Sequence, residues 1–586
     1  MKKQSIITLG IGLILIGIAG FFGYKMYNLK FWGDYPLYIF LAGWFGFLCL
    51  LRARKAAEEE HKYMLFLSVA SGLILGKAFV YTSPLLFIGF LPLLVLQHQL
   101  EAGASKSKNL YHWVYAFNAF AIWNITATYW VANAALFPAL VAFFLNSLFM
   151  TIPWMGMLAV GRRFPKLKYL SFIAFWICFE WVHHAWDISW PWLTLGNGLA
   201  FFPKWIQWYD TTGVYGGSLW ILIINCLLAS LYFKQLPRKY GFSVLGLILL
   251  LPISISYSKY NNYKLKGKSV EVGIVQPNYE PHYQKFEVDQ NLQMIHFEKY
   301  SRAAFTPNTK YLIWPETSFE YIDIDQFNSD WRIKRMKDLV STYSNLCLVT
   351  GIGSIKSFKA GEELSNAVRE NKRGGFPKYF EIQNSAIQVC SAGGEIPVYV
   401  KSKLVPGVET FPYRHLLPFL KPVVDKLGGS VQGLGRQRER SVFESGSTKI
   451  APVICYESIY GNYIGDYIRN GAEAIFIMTN DGWWDDTPGY HQHLAYGILR
   501  AIEFRKPIAR SANTGISCFV DAKGDVSLPT SYGKEASLIS LMLFNKEKTI
   551  YLQTGDLIAM LCIAMSACIL LFSLFKFLTI RFSKNQ

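Results

Sequence analysis

The sequence predicts a polytopic α-helical membrane domain of about ten spans that carries one α/β domain on its outer side. Three observations predict it. The 586 residues are 52% hydrophobic and only 17% charged, with a mean hydropathy of +0.22. Ordinary soluble domains are about 25% charged, so neither a string of soluble domains nor a disordered chain fits. The apolar residues are also clustered, leaving one long block of ordinary polarity near the C-terminal end. Finally, Lys and Arg are distributed asymmetrically between the loops.

Taking about 20 apolar residues as one bilayer crossing, the first 257 residues divide into nine candidate spans. They lie near 5–24, 36–51, 63–80, 83–98, 112–132, 135–160, 169–183, 217–233 and 241–257, with a tenth near 554–575. The first follows Met1-Lys2-Lys3 as a signal peptide would. Its apolar run is long, however, and Phe21-Phe22-Gly23-Tyr24 offers no small-residue cleavage site, so an uncleaved span is expected. With the N-terminus inside, the inner segments hold Lys2, Lys3, Arg52, Arg54, Lys55, Lys62, Lys106, Lys108, Arg162, Arg163, Lys166, Lys168, Lys234, Arg238, Lys239, Arg581 and Lys584. The short outer loops hold only Lys25, Lys30 and Lys204. Basic residues stay on the cytoplasmic side of short loops, which puts the polar block outside, in the periplasm of a cell with two membranes. Much of the net charge of +18 is therefore an orientation signal, and no nucleic-acid partner is expected.

Within the outer block, β-branched apolar runs at 269–276, 311–314, 346–352, 383–389, 449–454, 474–478 and 516–520 read as buried strands. Segments 291–304, 330–343 and 491–505 read as helices. The alternation suggests a layered α/β domain whose strand ends carry the site. Cys49, Cys178, Cys226, Cys562 and Cys568 fall in spans, and Cys347, Cys390, Cys455 and Cys518 in the outer block. No CxxC and no paired spacing occurs, so neither a zinc site nor a dense disulfide framework is supported.

Three strand ends deliver reactive side chains. Tyr311-Leu-Ile-Trp-Pro-Glu316 ends in a carboxylate, Tyr399-Val-Lys401-Ser-Lys403 carries lysines, and Ala451-Pro-Val-Ile-Cys455-Tyr456-Glu457 ends in a thiol. A cysteine nucleophile needs its thiolate, which a nearby ammonium favours and a carboxylate base can generate. The cation can also stabilise a tetrahedral oxyanion. The set suits acyl transfer, although each residue taken alone is more often core, surface or edge-strand decoration.

Trp-Pro-Glu316, Tyr399-x-Lys401-x-x-Leu-Val-Pro406-x-x-Glu409 and Cys455-Tyr456-Glu457 resemble the three signature segments of the nitrilase superfamily, and most closely its apolipoprotein N-acyltransferase family. Gln276-Pro-Asn278, Gln383-Asn384-Ser385, Thr479-Asn480-Asp481-Gly-Trp483, Arg510-Ser-Ala-Asn513, Glu180-Trp181, Trp190-Pro-Trp192 and Thr212-Gly-Val-Tyr-Gly216 add to the likeness, which covers about residues 63–577. The resemblance implies an αββα sandwich with Glu316 as general base, Lys401 as oxyanion-stabilising cation and Cys455 as nucleophile. Lys401 is preferred over Lys403 because it keeps the family's distances to Leu404-Val405-Pro406 and Glu409. Glu409, Glu457 and Asn384 would support the site, and Tyr456, Phe286, Trp483 and Trp484 would contact substrate.

The implied reaction is ping-pong. A phospholipid donates an acyl chain to Cys455, and the α-amine of an S-diacylglyceryl apolipoprotein takes it. No cofactor or metal is implied, and a monomer in the bacterial inner membrane is expected. The expected division is two additional spans in 1–62, a membrane domain in 63–257, a periplasmic catalytic domain in 269–550 and a closing helix in 554–577.

The chain departs from the family pattern at Pro277-Asn278, Lys285-Phe286 and Gly407-Val408, where Gly-Asn, Lys-Trp and Phe-Gly are usual. Trp186, Trp190, Trp192, Trp205 and Trp208 read as an interfacial belt. His183, His184, His491 and His493 lack partners at ligand spacing and read as satisfied polar groups. The rivals are a membrane-tethered amidase, which would not need the membrane half, and a transporter, which would need more ionisable residues in its spans than Lys77 and Glu180.

Overall fold

The computed structural model describes residues 3–29, 32–54, 59–102, 109–359, 361–371, 378–413 and 433–583. Of the basic residues on which the expected orientation rests, Lys2, Lys30, Lys55, Lys106, Lys108 and Lys584 lie outside these ranges.

The first half is helical. It comprises α1 (Lys3–Leu29), α2 (Tyr35–Arg54), α3 (Glu59–Ala78), α4 (Leu91–Ala102), α5 (Asn109–Thr128), the single turn α6 (Val131–Ala134), α7 (Leu136–Arg163), α8 (Lys168–Ala185), the short α9 (Tyr209–Thr212), α10 (Val214–Tyr232) and α11 (Arg238–Asn262). Among the described residues, seven helical segments are long and apolar enough to cross a membrane: 5–29, 35–52, 83–102, 136–163, 214–232, 238–262 and 557–579. The three other expected spans form helices too, α3, α5 and α8, but these carry polar side chains that lower their hydropathy. Several of those groups find partners inside the bundle instead of facing lipid. Asn118 donates to Ser68 Oγ at 2.8 Å, Asn146 donates to Asn124 Oδ1 at 2.7 Å, and Trp176 donates to Glu180 at 3.1 Å. The span expected at 83–98 is built as a 3₁₀ turn (Ser83–Phe87) followed by α4. Pro84 and Pro92 each sit where a helix start leaves an N–H unused.

The α/β domain alternates strands and helices. In chain order it contains β1 (Lys268–Gln276), α12 (Gln290–Arg302), β2 (Thr309–Ile313), β3 (Phe319–Asp323), α13 (Trp331–Val340), β4 (Cys347–Phe358), β5 (Arg369–Glu370), β6 (Tyr379–Cys390) and β7 (Val398–Val400). There follow β8 (Phe443–Ser445), β9 (Thr448–Ile454), α14 (Gly461–Arg469), β10 (Ala474–Thr479), α15 (Pro488–Phe504), β11 (Ile508–Ala512), β12 (Cys518–Val520), β13 (Val526–Ser527) and β14 (Ala536–Phe544). The turn α16 (Ile550–Thr554) leads into α17 (Leu557–Ser583).

One sheet has the order β14-β1-β2-β4-β6-β5, with β3 beside β4 and β7 beside β6; the other runs β13-β12-β11-β10-β9-β8. Their central strands are parallel and buried on both faces, which explains their unbroken apolar runs. The sheets meet face to face. Ser511 Oγ donates to the Val275 carbonyl at 2.9 Å, and the Tyr311 and Phe476 rings lie 5.3 Å apart. Met294, Phe297, Ile333 and Met336 pack α12 and α13 on the outer face of the first sheet, while Gly497 of α15 lies against Ile477 of the second. The result is the αββα sandwich. Strands β3, β5, β8, β11, β13 and β14 escape the sequence reading because most are too short for a period to show, whereas β7 matches the strand end expected before Lys401. In β11, Arg510 interrupts the apolar run and is accommodated only by a carboxylate on another strand end.

Cysteine spacing indicates no pairing, yet Cys347 and Cys390 form a disulfide. The antiparallel register of β4 and β6 sets them directly opposite. The five-tryptophan belt is also revised. Trp192 is fully buried and donates to Gln492 of α15 at 2.7 Å; Trp186 donates to His183 at 2.8 Å, and Trp208 to the Trp205 carbonyl at 3.0 Å. A belt indole turns its N–H toward headgroups and water, whereas these three are satisfied within the protein. Trp192 in particular joins the membrane half to the α/β domain.

Candidate active site

Three chain turns build the site. The first follows β2, where Pro315 ends the ladder and Glu316 turns inward. This turn lies against Gly351 of β4, where a Cβ would come within 2.7 Å of the Glu316 Cα, so only glycine permits the approach. The second follows β7. The Lys401 N–H donates to the Asn384 carbonyl at 2.8 Å, which fixes the direction of its side chain. The third follows β9, where Cys455 adopts φ +47° and opens a 3₁₀ turn over Cys455–Ile459. A left-handed non-glycine residue costs about 1–3 kcal/mol and persists only where its surroundings hold it.

The first two turns meet in a buried ion cluster. Lys401, 1% exposed, donates to Glu316 Oε1 at 3.0 Å and Glu409 Oε1 at 2.9 Å. Asn384 Nδ2 donates to the same two oxygens at 2.8 and 3.2 Å, and the Val405 N–H donates to Glu409 Oε2 at 2.9 Å. Burial alone would raise the Glu316 pKa, but the Lys401 charge and the bonds from Asn384 and Lys401 pull it below the ordinary value. Burial works against the Lys401 ammonium, yet Glu316 and Glu409 drive its pKa well above the usual lysine range. The pair is therefore ionised, and a buried pair of this kind requires such added hydrogen bonds. Burial and the Glu316 charge push the Cys455 thiol up, while Lys401 pulls it down. Cys455 rests as a thiol.

Glu457 and His493 hold the Cys455 turn. Glu457 Oε2 accepts the Ile454 N–H at 3.0 Å. Its Oε1 accepts from Tyr399 at 2.6 Å, Tyr463 at 2.5 Å and the Ser402 N–H at 2.8 Å. His493 Nε2 lies 3.1 Å from the Cys455 carbonyl and Nδ1 2.9 Å from Asp481 Oδ1. Arg510 donates to Asp481 at 2.6 Å. Burial would raise the Asp481 carboxyl, but Arg510 and His493 hold it down to about 2. Lys285 reaches in from residues 277–288 and donates to the Glu316 carbonyl at 2.8 Å. Burial lowers its amine to about 8 against the pull of Glu316.

Glu316, Lys401, Glu409 and Asn384 thus come together, with Cys455 and Glu457 on the facing turn. Lys403 points elsewhere, donating to the His184 carbonyl at 3.1 Å. The Tyr456 hydroxyl is committed to the Ser189 carbonyl at 3.1 Å. Phe286, 47% exposed, stacks on Trp483 at 6.0 Å. Trp484 packs on Trp130 and Trp192 at 4.7 and 5.7 Å. The sequence reading assigned no role to Lys285, Tyr399, Asp481 or Arg510, although Tyr399, Asp481 and Arg510 stand inside segments that carry the family likeness. A cavity of about 320 Å³ lies beside the Lys401 turn, walled by Val131, Pro138, Leu145 and Phe149 of the membrane half and by Val405 and Val408. Among the described residues, no group of three or more His, Cys, Asp or Glu could hold a metal.

The αββα sandwich with this site defines a carbon–nitrogen hydrolase, and residues 271–541 match that family directly. Residues 69–227 match the apolipoprotein N-acyltransferase N-terminal domain. The chain belongs to the apolipoprotein N-acyltransferase family, membrane acyltransferases of lipoprotein biosynthesis. The apolipoprotein N-acyltransferase of Chlorobaculum tepidum is 28% identical over 86% of this chain and 96% of its own length. That of Geobacter metallireducens is 26% identical over 86% and 94%. The solved structure of Saccharomyces cerevisiae Nit3, a nitrilase-superfamily protein, matches 50% of this chain and 95% of its own at 15% identity and a TM-score of 0.34.

Proposed function

We propose that the protein transfers a fatty acyl chain from a membrane phospholipid to the α-amine of S-diacylglyceryl-cysteine on an apolipoprotein, through a thioester on Cys455. The observation that carries this reading is the buried, ionised Glu316–Lys401 pair, whose charges both act on the Cys455 thiol. Glu316 takes the thiol proton as sulfur attacks the ester carbonyl, and Lys401 stabilises the oxyanion. Collapse expels the lysophospholipid, whose oxygen takes the proton back from Glu316. The lipoprotein amine then attacks the thioester, Glu316 removes its proton, and the returning thiolate regains that proton once the amide has formed. Because Cys455 rests as a thiol, the nucleophile appears only when a carbonyl is in place, which limits idle reactivity.

Glu409, Glu457 and Asn384 position the triad, and Tyr456, Phe286, Trp483 and Trp484 contact lipid. The cavity of about 320 Å³ between α7 and residues 405–413 has the apolar walls that an acyl chain needs. In the same reading the chain crosses the bacterial inner membrane ten times, with residues 1–62 and 63–257 as its two helical parts and 554–577 as its last span. Residues 269–550 form the periplasmic catalytic domain, which works as a monomer without cofactor or metal.

The test is incubation of purified protein with a labelled phospholipid. A hydroxylamine-sensitive adduct is expected on wild-type protein and not on Cys455→Ser. With a diacyl lipopeptide added, mass spectrometry should show one acyl chain gained at its N-terminus. An active enzyme without the adduct, or an adduct that survives Cys455→Ser, overturns the thioester. Release of free fatty acid alone would instead make the protein a membrane-tethered hydrolase.

A further inference from the structure

The hairpin α1–α2 precedes residues 69–227, where the match to the family's membrane domain begins. Its connector, Trp32-Gly33-Asp34, does not end in solvent. Trp32 Nε1 donates to the Tyr283 hydroxyl at 3.1 Å, and its indole stacks on His282 at 6.0 Å. Asn133 Nδ2 donates to both the Gly33 and Trp484 carbonyls at 3.0 Å, bridging the connector to the segment after β10. Gly33 has φ +62°, and a Cβ there would sit 3.8 Å from Asp485 Oδ2. Tyr129 donates to Asp34 and anchors the far side of the connector.

These contacts converge on two segments that each carry a charged group to the site. His282 and Tyr283 lie two or three residues before Lys285, whose ammonium caps the Glu316 carbonyl. Trp484 and Asp485 follow Asp481, whose carboxylate engages His493 beneath the Cys455 carbonyl. The two segments also meet each other through Trp483, edge-on to His282 at 5.1 Å and stacked on Phe286.

We infer that the α1–α2 hairpin is part of the reaction apparatus: its connector holds residues 277–288 and 481–487 together over the Cys455 turn, and Trp32 is a positioning residue that keeps water from the acyl-enzyme. The consequence for chemistry rests on the acyl-transfer reading above. A thioester partitions between aminolysis and hydrolysis, and the partition depends on how well the covering segments exclude water.

The test uses the full-length protein in lipid nanodiscs and has two readouts. Trp32→Ala removes the stack and the hydrogen bond but leaves the packing of α1 on α2 and the Trp44–Asn118 bond intact. It is expected to speed amide hydrogen exchange about tenfold in both 277–288 and 481–487. It should also raise released fatty acid per N-acylated lipopeptide at least threefold. Tyr283→Phe deletes one hydroxyl without touching the hairpin; it should speed exchange in 277–288, and it carries the test if Trp32→Ala fails to fold. Exchange that rises only around the connector, or an unchanged product ratio in an otherwise active Trp32→Ala, overturns the inference. Absence of any thioester in the wild type defeats the acyl-transfer reading instead, and the exchange readout then still judges the positioning claim by itself.

Discussion

The Tyr399 hydroxyl donates to Glu457 Oε1 at 2.6 Å, joining the strand that leads into Lys401 on one sheet to the turn that holds Cys455 on the other. The same carboxylate accepts the Ser402 and Ile454 N–H groups, so it sets the spacing between cation and thiol. Each of its neighbours is a donor, and we propose that it is a positioning group and not a proton carrier.

Glu457→Gln presents an amide N–H₂ to a ring of donors. We expect kcat to fall by about 10–100-fold with KM little changed, since a misplacement of about 1 Å can cost a hundredfold. Tyr399→Phe removes one bond of about 1 kcal/mol and should lower kcat less. Steady-state kinetics with a lipopeptide acceptor separate the two. An unaltered kcat in Glu457→Gln would remove its positioning role.

Lys285 sets a pH limit. Its positive charge helps hold the Glu316 pKa below the ordinary value, so deleting the charge raises that pKa. In Lys285→Met the acid limb of kcat/KM therefore moves to higher pH, whereas Lys285→Arg keeps it near the wild-type position. In the wild type the Lys285 amine loses its proton near pH 8, so this assistance to Glu316 fades above that value. A pH–rate profile of the three proteins checks the sign.

Asp481 links the site to stability. Its carboxyl is held at about 2, below its ordinary 3.8, so the stabilisation is complete above pH 4 and lost as the pH falls through about 2. Asp481→Asn leaves the buried Arg510 without a counter-charge and should cost about 3–5 kcal/mol. Thermal unfolding in detergent should show a lowered midpoint for the variant at neutral pH.

The Cys347–Cys390 bond closes a segment with a sequence separation of 43, worth up to about 4 kcal/mol by restricting the unfolded chain. It sits at the strand ends away from the Glu316 turn. Cys347→Ser should therefore lower resistance to denaturant while leaving the kcat of folded protein near wild type. Equal loss of both would show that the bond also shapes the site.

Local signals made much of this molecule legible. Long apolar runs mark membrane helices because lipid demands them, and β1, β9 and β10 announce themselves because parallel strands are buried on both faces. Glu316 and Cys455 are visible because each directly ends such a run. Lys285, Asp481 and Arg510 are not, because their partners lie on other elements. Arg510 in β11 even disguises its strand, since a buried arginine is tolerable only beside a carboxylate that local sequence does not reveal.

By itself, the sequence determined that the chain is part membrane and part polar domain, and which reactive groups stand at strand ends. These are properties of short windows, governed by hydropathy and backbone periodicity. Only the tertiary structure decided that Lys403 turns away to the His184 carbonyl, that Cys347 pairs with Cys390, that Trp192 lies between the two halves, and that the connector at Trp32 and Gly33 reaches the segments around the thiol. Those facts depend on strand register and on how the bundle packs against the sandwich, which join residues 43 to 300 positions apart and leave no trace in any single window.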